Sequence, residues 1–390
     1  MTETVQADLP ISVPHAVIGR GRELAVLAKR TYSIAPDGVC RPIPEQPPLN
    51  DDFVEDTVDG QEYLVADSEL IAFKPGVDVV VKAKAYGPGN RPVNTLEAGI
   101  DIGSRSYRVR VYGDRHVILN GDRIRFSSPE PFTTMDISYR NAYGGVDCWA
   151  RHELDAQTIN PLLPYLAQDL SGTTFVAYPR NKVGKGYVIN YTPEIDGMPL
   201  PNIEDPNDLL TPERLICDGP YKWRFQPLPA GMDWFHYTWF PRSAFLGFCF
   251  EERPDYPSPD EPPVREIQLG YLPEDGFGPK QLLQAVDDRF MNGASPWLIL
   301  PSLKGDEPIA LYHLDPEYPV FRFKLPGQLP KMWVRPLTEK EKTLKPRLIT
   351  VVIEKEKNLV SLIWSGVTPC NLVHTPDHLE KVNYGVLWEA

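Results

Sequence analysis

The sequence predicts a mainly β protein: an antiparallel β-sandwich or barrel-like set of sheets with long Pro-rich loops and few short helices. Three observations predict it. Apolar residues recur with period two through residues 77–111 and again through 348–367. The turns between these runs are written in Gly, Pro, Asn and Asp. The 42 prolines, about twice the usual share, are scattered in short clusters, which favours turns and extended connections over long helices.

Taken in order, residues 11–35 read as two strands joined by Gly-Arg-Gly-Arg. Leu24, Val26 and Ala28 share one face and Ala25, Leu27 and Lys29 the other, the pattern of a strand covered on both sides. Pro36-Asp37-Gly38 is a turn, because Pro presets φ and Gly accepts a positive φ. Residues 42–61 are polar and acidic and read as a loop. Next, Val79, Val81, Ala83 and Ala85 alternate with Lys82, Lys84 and Tyr86. Gly87–Asn90 ends that run. Leu96, Ala98, Ile100 and Ile102 then alternate, and Tyr107, Val109 and Val111 return antiparallel, so a three-strand meander is expected.

Regularity falls between Val146 and Pro201, with a short helical turn expected at Asn160–Leu166. Residues 180–187 form a basic, Gly-punctuated loop, and residues 219–263 are aromatic and Pro-rich. Lys280–Met291 is the best helix, with Leu282, Leu283, Val286 and Phe290 on one stripe behind Pro279. After it the pattern returns to β, with Lys355–Asn358 turning a hairpin. Two lobes are expected, 1–255 and 256–390, or a single unit.

The net charge of -13 makes nucleic acid a poor partner. The five cysteines are far apart and lack Cys-x-x-Cys spacing, which fits free thiols in a reducing compartment. No basic leader followed by an apolar run stands at the N-terminus, and no window reaches the roughly 18 apolar residues of a spanning helix, so a cytoplasmic location and no membrane contact are expected.

Few residues group into chemistry. His374 and His378 are spaced for a metal on a helix, but Pro376 stands between them, and an exposed loop competes. His116 follows Asp114-Arg115 at a strand end, as a general base or as part of a turn held by an Arg–carboxylate pair. Cys148 has His152 four residues on, without an evident orienting group. Asn181–Gly186 lacks the Gly-Lys-Ser/Thr of a P-loop, and could hold an anion on its N–H groups or simply be a tight turn. The aromatic band Tyr221–Phe240 is either core or a recognition surface.

Several short motifs in a fixed order carry a resemblance. They are Phe73-Lys74-Pro75 with Asp78, Ala85-Tyr86-Gly87-Pro88-Gly89, Val111-Tyr112-Gly113-Asp114-Arg115 and Pro129-Glu130-Pro131-Phe132. Arg140-Asn141-Ala142-Tyr143-Gly144-Gly145, Leu200-Pro201-Asn202-Ile203-Glu204, Phe225-Gln226-Pro227-Leu228-Pro229 and Leu303-Lys304-Gly305-Asp306-Glu307 follow. Together, from about Lys29 to Trp364, they resemble the domain-of-unknown-function family twenty-one sixty-nine, which is encoded beside type VI secretion genes in bacteria. One departure is Lys182, where the family usually has proline. The resemblance implies a non-enzymatic adaptor or chaperone, without cofactor or metal, that binds a toxin effector in the cytoplasm and helps load it onto a secretion spike of the VgrG or PAAR type. Contact through Trp223, Trp234, Phe235 and Trp239, with Gly184, Gly186 and Tyr187, is expected. Phe73, Lys74, Pro75, Asp78, Gly113, Asp114, Arg115, Gly144 and Gly145 are expected to be scaffold. The alternative is a carbohydrate-binding module or hydrolase, for which Trp-rich loops on a β scaffold are a common platform.

Overall fold

A computed structural model describes residues 14–58, 61–121, 123–152, 166–168, 174–246, 263–272 and 287–388. Its largest sheet runs in the order His15–Arg20, Glu23–Ile34, Leu359–Pro369, Arg347–Glu354, Val77–Lys82, Ile299–Leu300, with Cys40–Pro42 added beside Glu23–Ile34. All its pairings are antiparallel except that of Arg347–Glu354 with Val77–Lys82. A second, wholly antiparallel sheet runs Ile203–Glu204, Arg105–Tyr112, Thr95–Ile102, Pro308–Tyr312, Val320–Lys324. One hydrophobic core joins them: Val26, Val79, Val351 and Leu362 of the first sheet share it with Ile100, Val109, Leu311 and Phe323 of the second. The arrangement is a sandwich of open sheets, not a closed barrel.

The Glu23–Ile34 strand is covered on both faces, as its double apolar alternation requires. Ala25 and Leu27 pack with Ile349, Ile363, Ala72 and Phe73 on the side away from the second sheet. On that side Lys29 forms a buried ion pair with Glu69 at 2.7 Å. The Lys355–Lys357 turn is closed by Asn358 at φ 50°, as the Lys-Glu-Lys-Asn pattern requires.

Three expectations are corrected. The meander is split: Val77–Lys82 lies in the first sheet and the Thr95–Ile102/Arg105–Tyr112 hairpin in the second. Alternation marks which face of a strand meets a core, and here two opposed sheets meet the same core. Residues 42–61 are not all loop: Val54–Val58 pairs antiparallel with Gln61–Ala66. Of the expected helix at 280–291, residues 280–286 lie outside the described residues, and Asp288–Met291 is a single 3-10 turn capped by Asp287, which accepts from the Arg289 N–H at 2.9 Å. The expected turn at 160–166 also lies outside the described residues, apart from Leu166 in the strand Leu166–Gln168.

The anticipated lobes, 1–255 and 256–390, share both large sheets, because strands from each side of that boundary pair in both. A separate core forms in the chain's middle, where Tyr143, Tyr178, Tyr187, Ile195, Trp223 and Phe240 pack together. No helix among the described residues is long and apolar enough to cross a membrane.

Candidate functional site

The signature motifs close on one another inside the scaffold. Lys74 and Asp78 form a buried ion pair at 2.7 Å, and the Lys74 ammonium also reaches Thr350 Oγ1 at 2.9 Å. Asp78 accepts in addition from Asn292 Nδ2 at 2.9 Å and from the N–H groups of Gly293 and Ala294. Arg115 is stacked on Tyr112, 3.7 Å from the ring centre, and pairs with Glu204 of the Leu-Pro-Asn-Ile-Glu motif. Burial pushes the Glu204 carboxyl up, with Arg115 opposing. Asp114 accepts from Asn202 Nδ2 at 2.9 Å, while His116 stays exposed. The Gly-Asp-Arg-His group is therefore a turn held by an Arg–carboxylate pair.

The two Gly-rich boxes also bind each other. Tyr143–Gly144 pairs in parallel with Lys185–Gly186, and Asn181 Nδ2 donates to the carbonyls of Tyr139 (2.8 Å) and Tyr143 (3.1 Å). A Cβ at Gly144 would sit 2.2 Å from the Asn181 carbonyl oxygen, so the backbones touch only because glycine stands there. Across Lys182, Asn181 Oδ1 accepts from the Val183 N–H at 3.3 Å and holds the turn.

The residues expected at a contact surface are divided among three cores. Trp234 (4% exposed) belongs to the sandwich core, Trp223 and Tyr187 to the middle core, and Phe235 and Trp239 to a small cluster with Tyr139. Gly186 is buried beside Tyr187 and Gly184 is half-buried. Trp223, Trp234, Phe235 and Trp239 are thus core in this structure, while Phe225 of the same band is exposed. Cys148 and His152 lie in one strand, ~13 Å apart along it. His374 is buried, its ring 6.4 Å from that of His378, and no cluster of three metal-ligating side chains forms among the described residues.

The outer face of the aromatic band lines a cleft of about 400 Å³. Its base is Asp233 and Trp234, tied to the first sheet where the Met232 carbonyl accepts from the Val81 N–H at 2.8 Å. One wall is the strand Gln61–Ala66, anchored by Glu55 of its hairpin partner to His236 Nε2 at 2.8 Å. His236 Nδ1 accepts from the Thr238 N–H at 3.1 Å, so Nε2 is the donor to Glu55. Burial lowers the His236 pKa, against the pull of Glu55. The other walls are Asp136–Arg140 and the Glu354–Lys357 turn. A second cavity of about 330 Å³ lies between Phe235, Phe245, Tyr271 and Arg289.

Asp233 was not singled out from sequence, although it is the sole carboxylate between Tyr221 and Phe240. It is half-buried, and its Oδ1 accepts from the Trp234 N–H at 2.7 Å. Desolvation pushes its pKa up to about 6, with Lys82 opposing and Glu354 reinforcing. Because the folded value lies above the unfolded one, the folded state loses stability as pH rises from about 4 through about 6. Asp233→Asn should therefore raise the thermal midpoint at pH 7, and the gap should close as pH falls toward about 4. Circular-dichroism melts across that range check it.

Residues 20–365 match the family described as an uncharacterized protein conserved in bacteria (DUF2169). The chain belongs to that family. No curated protein and no solved structure matches this DUF2169 member. The matched span contains both halves of each clasp, Lys74 with Asp78 and Arg115 with Glu204, as well as the whole cleft.

Proposed function

We propose that this DUF2169 member is a non-enzymatic cytoplasmic adaptor that holds a toxin effector and presents it to a type VI secretion spike protein of the VgrG or PAAR type. The observation that carries the reading is how the signature residues are used. Lys74, Asp78, Asp114, Arg115, Gly144 and Gly145 are all engaged in internal bonds or backbone contacts. These motif residues thus serve as scaffold, and working contacts fall to the cleft on its flank. The Gln61–Ala66 strand lining that cleft pairs on one side only among the described residues, which suits the addition of an extended segment from a partner. Resemblance to proteins encoded beside type VI secretion genes supplies the identity of the partners.

Co-expression with any effector and spike proteins encoded beside it, followed by affinity purification and gel filtration, tests the reading. A stable complex with at least one of them is expected. Purification of the chain free of both overturns it.

The sugar-binding or hydrolytic alternative draws on one specific observation, the raised pKa of Asp233 beside Glu354 in a concave site. Glu354, however, is bound to Lys357 at 2.7 Å, and Trp234 and Trp239 are buried rather than offered as a platform. Release of reducing ends from a glycan panel would establish the alternative.

A further inference from the structure

We propose that the cleft at Asp233 receives a basic side chain, arginine or lysine, carried by an extended segment of the partner, with the Asp233 carboxylate as its counter-ion. The inference rests on the adaptor reading and names the chemistry of its binding site.

The charged groups of the cleft are unequally satisfied. Lys357 is paired with Glu354 at 2.7 Å and Lys84 with Asp136 at 3.7 Å. The Lys82 ammonium donates to the Val65 carbonyl at 2.5 Å, and the Arg140 guanidinium lies over the Tyr63 ring, 4.8 Å from its centre. Glu356 accepts from the Tyr86 hydroxyl at 2.7 Å. Asp233 is different: beyond the N–H of the next residue it has no hydrogen-bond or ion-pair partner among the described residues. It nevertheless lines the open volume.

Three further features select a cation. Tyr63, half-buried, presents its ring to the same space, with the buried Tyr139, Trp234 and Trp239 behind it, and an aromatic ring attracts a desolvated ammonium or guanidinium. The volume of about 400 Å³ is within the range of small-ligand sites and holds a long side chain with its backbone. The chain's net charge of -13 gives a field that favours the approach of a basic segment. The adjoining single-sided strand offers main-chain hydrogen bonds to a segment that is extended, which sets the basic side chain at right angles to it. A carboxylate kept half-buried and unpaired lowers stability, and such residues concentrate where binding uses them.

The groups that face Asp233 are Lys82 on the first sheet, Glu354 at the end of its neighbour, Tyr63 on the hairpin, and Tyr139 with Arg140 on the opposite turn. Protonation of Asp233 removes the negative charge that attracts the incoming cation. Binding should weaken as pH falls from 7 to 5, and this dependence should vanish when Asp233 is replaced.

The test uses the full chain and the blocked pentapeptide acetyl-Val-Thr-Arg-Thr-Val-amide, followed by tryptophan fluorescence and calorimetry. Saturable binding is expected, weakened at least tenfold by Asp233→Asn and by glutamine in place of the peptide arginine, and partly restored in Asp233→Glu. The pH 7 melt of Asp233→Asn shows whether that variant is folded. Equal binding by Asp233→Asn, equal binding of the glutamine peptide, or no saturable binding of the arginine peptide overturns the inference. Co-purification separates it from the adaptor reading. If the neighbouring effector co-purifies equally with wild type and Asp233→Asn, the cleft assignment fails and the adaptor stands. If the peptide binds through Asp233 but neither neighbour co-purifies, the cleft assignment stands and the adaptor fails.

Discussion

Arg180→Met should lower the unfolding free energy by about 3–5 kcal/mol, the range for removing one member of a buried ion pair. Arg180 is fully buried and holds both oxygens of Glu266, one of them at 2.7 Å through Nη2. Its Nη1 also donates to the Tyr178 hydroxyl (2.8 Å) and to the carbonyls of Trp223 and Gln226, and its Nη2 to that of Arg224. One guanidinium therefore fixes the C-terminal end of the 3-10 helix Pro220–Phe225 against the middle core. Methionine preserves much of the volume but leaves Glu266 buried without a cation. Urea unfolding followed by tryptophan fluorescence measures the loss. Adding Glu266→Leu to Arg180→Met should recover a large part of it, since replacing both buried charges is far milder than removing one. A loss under about 1 kcal/mol, the ordinary effect of a point substitution, would contradict the assignment.

Lys74→Met is expected to be the second most damaging change, also about 3–5 kcal/mol. Its ammonium is the cation bonded to Asp78. Asp78 would keep its donors from Asn292, Gly293 and Ala294, which places the expected loss toward the lower end. The effect should spread beyond the pair. Asn292 is also bonded to the Gly76 carbonyl at 3.0 Å, and Phe235 donates its N–H to the Gly293 carbonyl at 2.7 Å. Loosening residues 292–294 therefore reaches the aromatic segment behind the cleft. Hydrogen exchange at Phe235 should quicken in Lys74→Met more than exchange at Val109, on the opposite sheet.

The strands were legible in sequence because each carries its own alternation. Leu24 to Ala28 announced a doubly covered strand, and Lys355–Asn358 announced its hairpin, from neighbouring residues alone. Sheet membership was not legible, since Val79 and Ile100 show the same pattern while lying in opposed sheets. The Val54–Val58 strand was obscured because Glu55, Asp56 and Thr57 make it polar and exposed. The signature charges could be read as structural, but not their partners: Asp78 meets Asn292, 214 residues away, and Arg115 meets Glu204, 89 residues away. The aromatic band concealed the site for a related reason. Trp223, Trp234, Phe235 and Trp239 turn inward, and the group left facing the cleft is the one carboxylate among them.

The strand order of the larger sheet bears on how the chain reaches this state during synthesis. Glu23–Ile34 and Val77–Lys82 are made early, yet the hairpin of Arg347–Glu354 and Leu359–Pro369 lies between them. Neither early strand gains its central neighbour until residues 347–369 have left the ribosome. The Arg115–Glu204 and Arg180–Glu266 clasps involve no residue beyond 266 and can close before then. Such long-range closure is slow and leaves apolar edges open meanwhile. A nascent chain of this protein thus carries two Val- and Leu-rich strands whose inner edges stay open through most of its translation, and truncation before residue 347 should leave it dependent on chaperones or prone to aggregate.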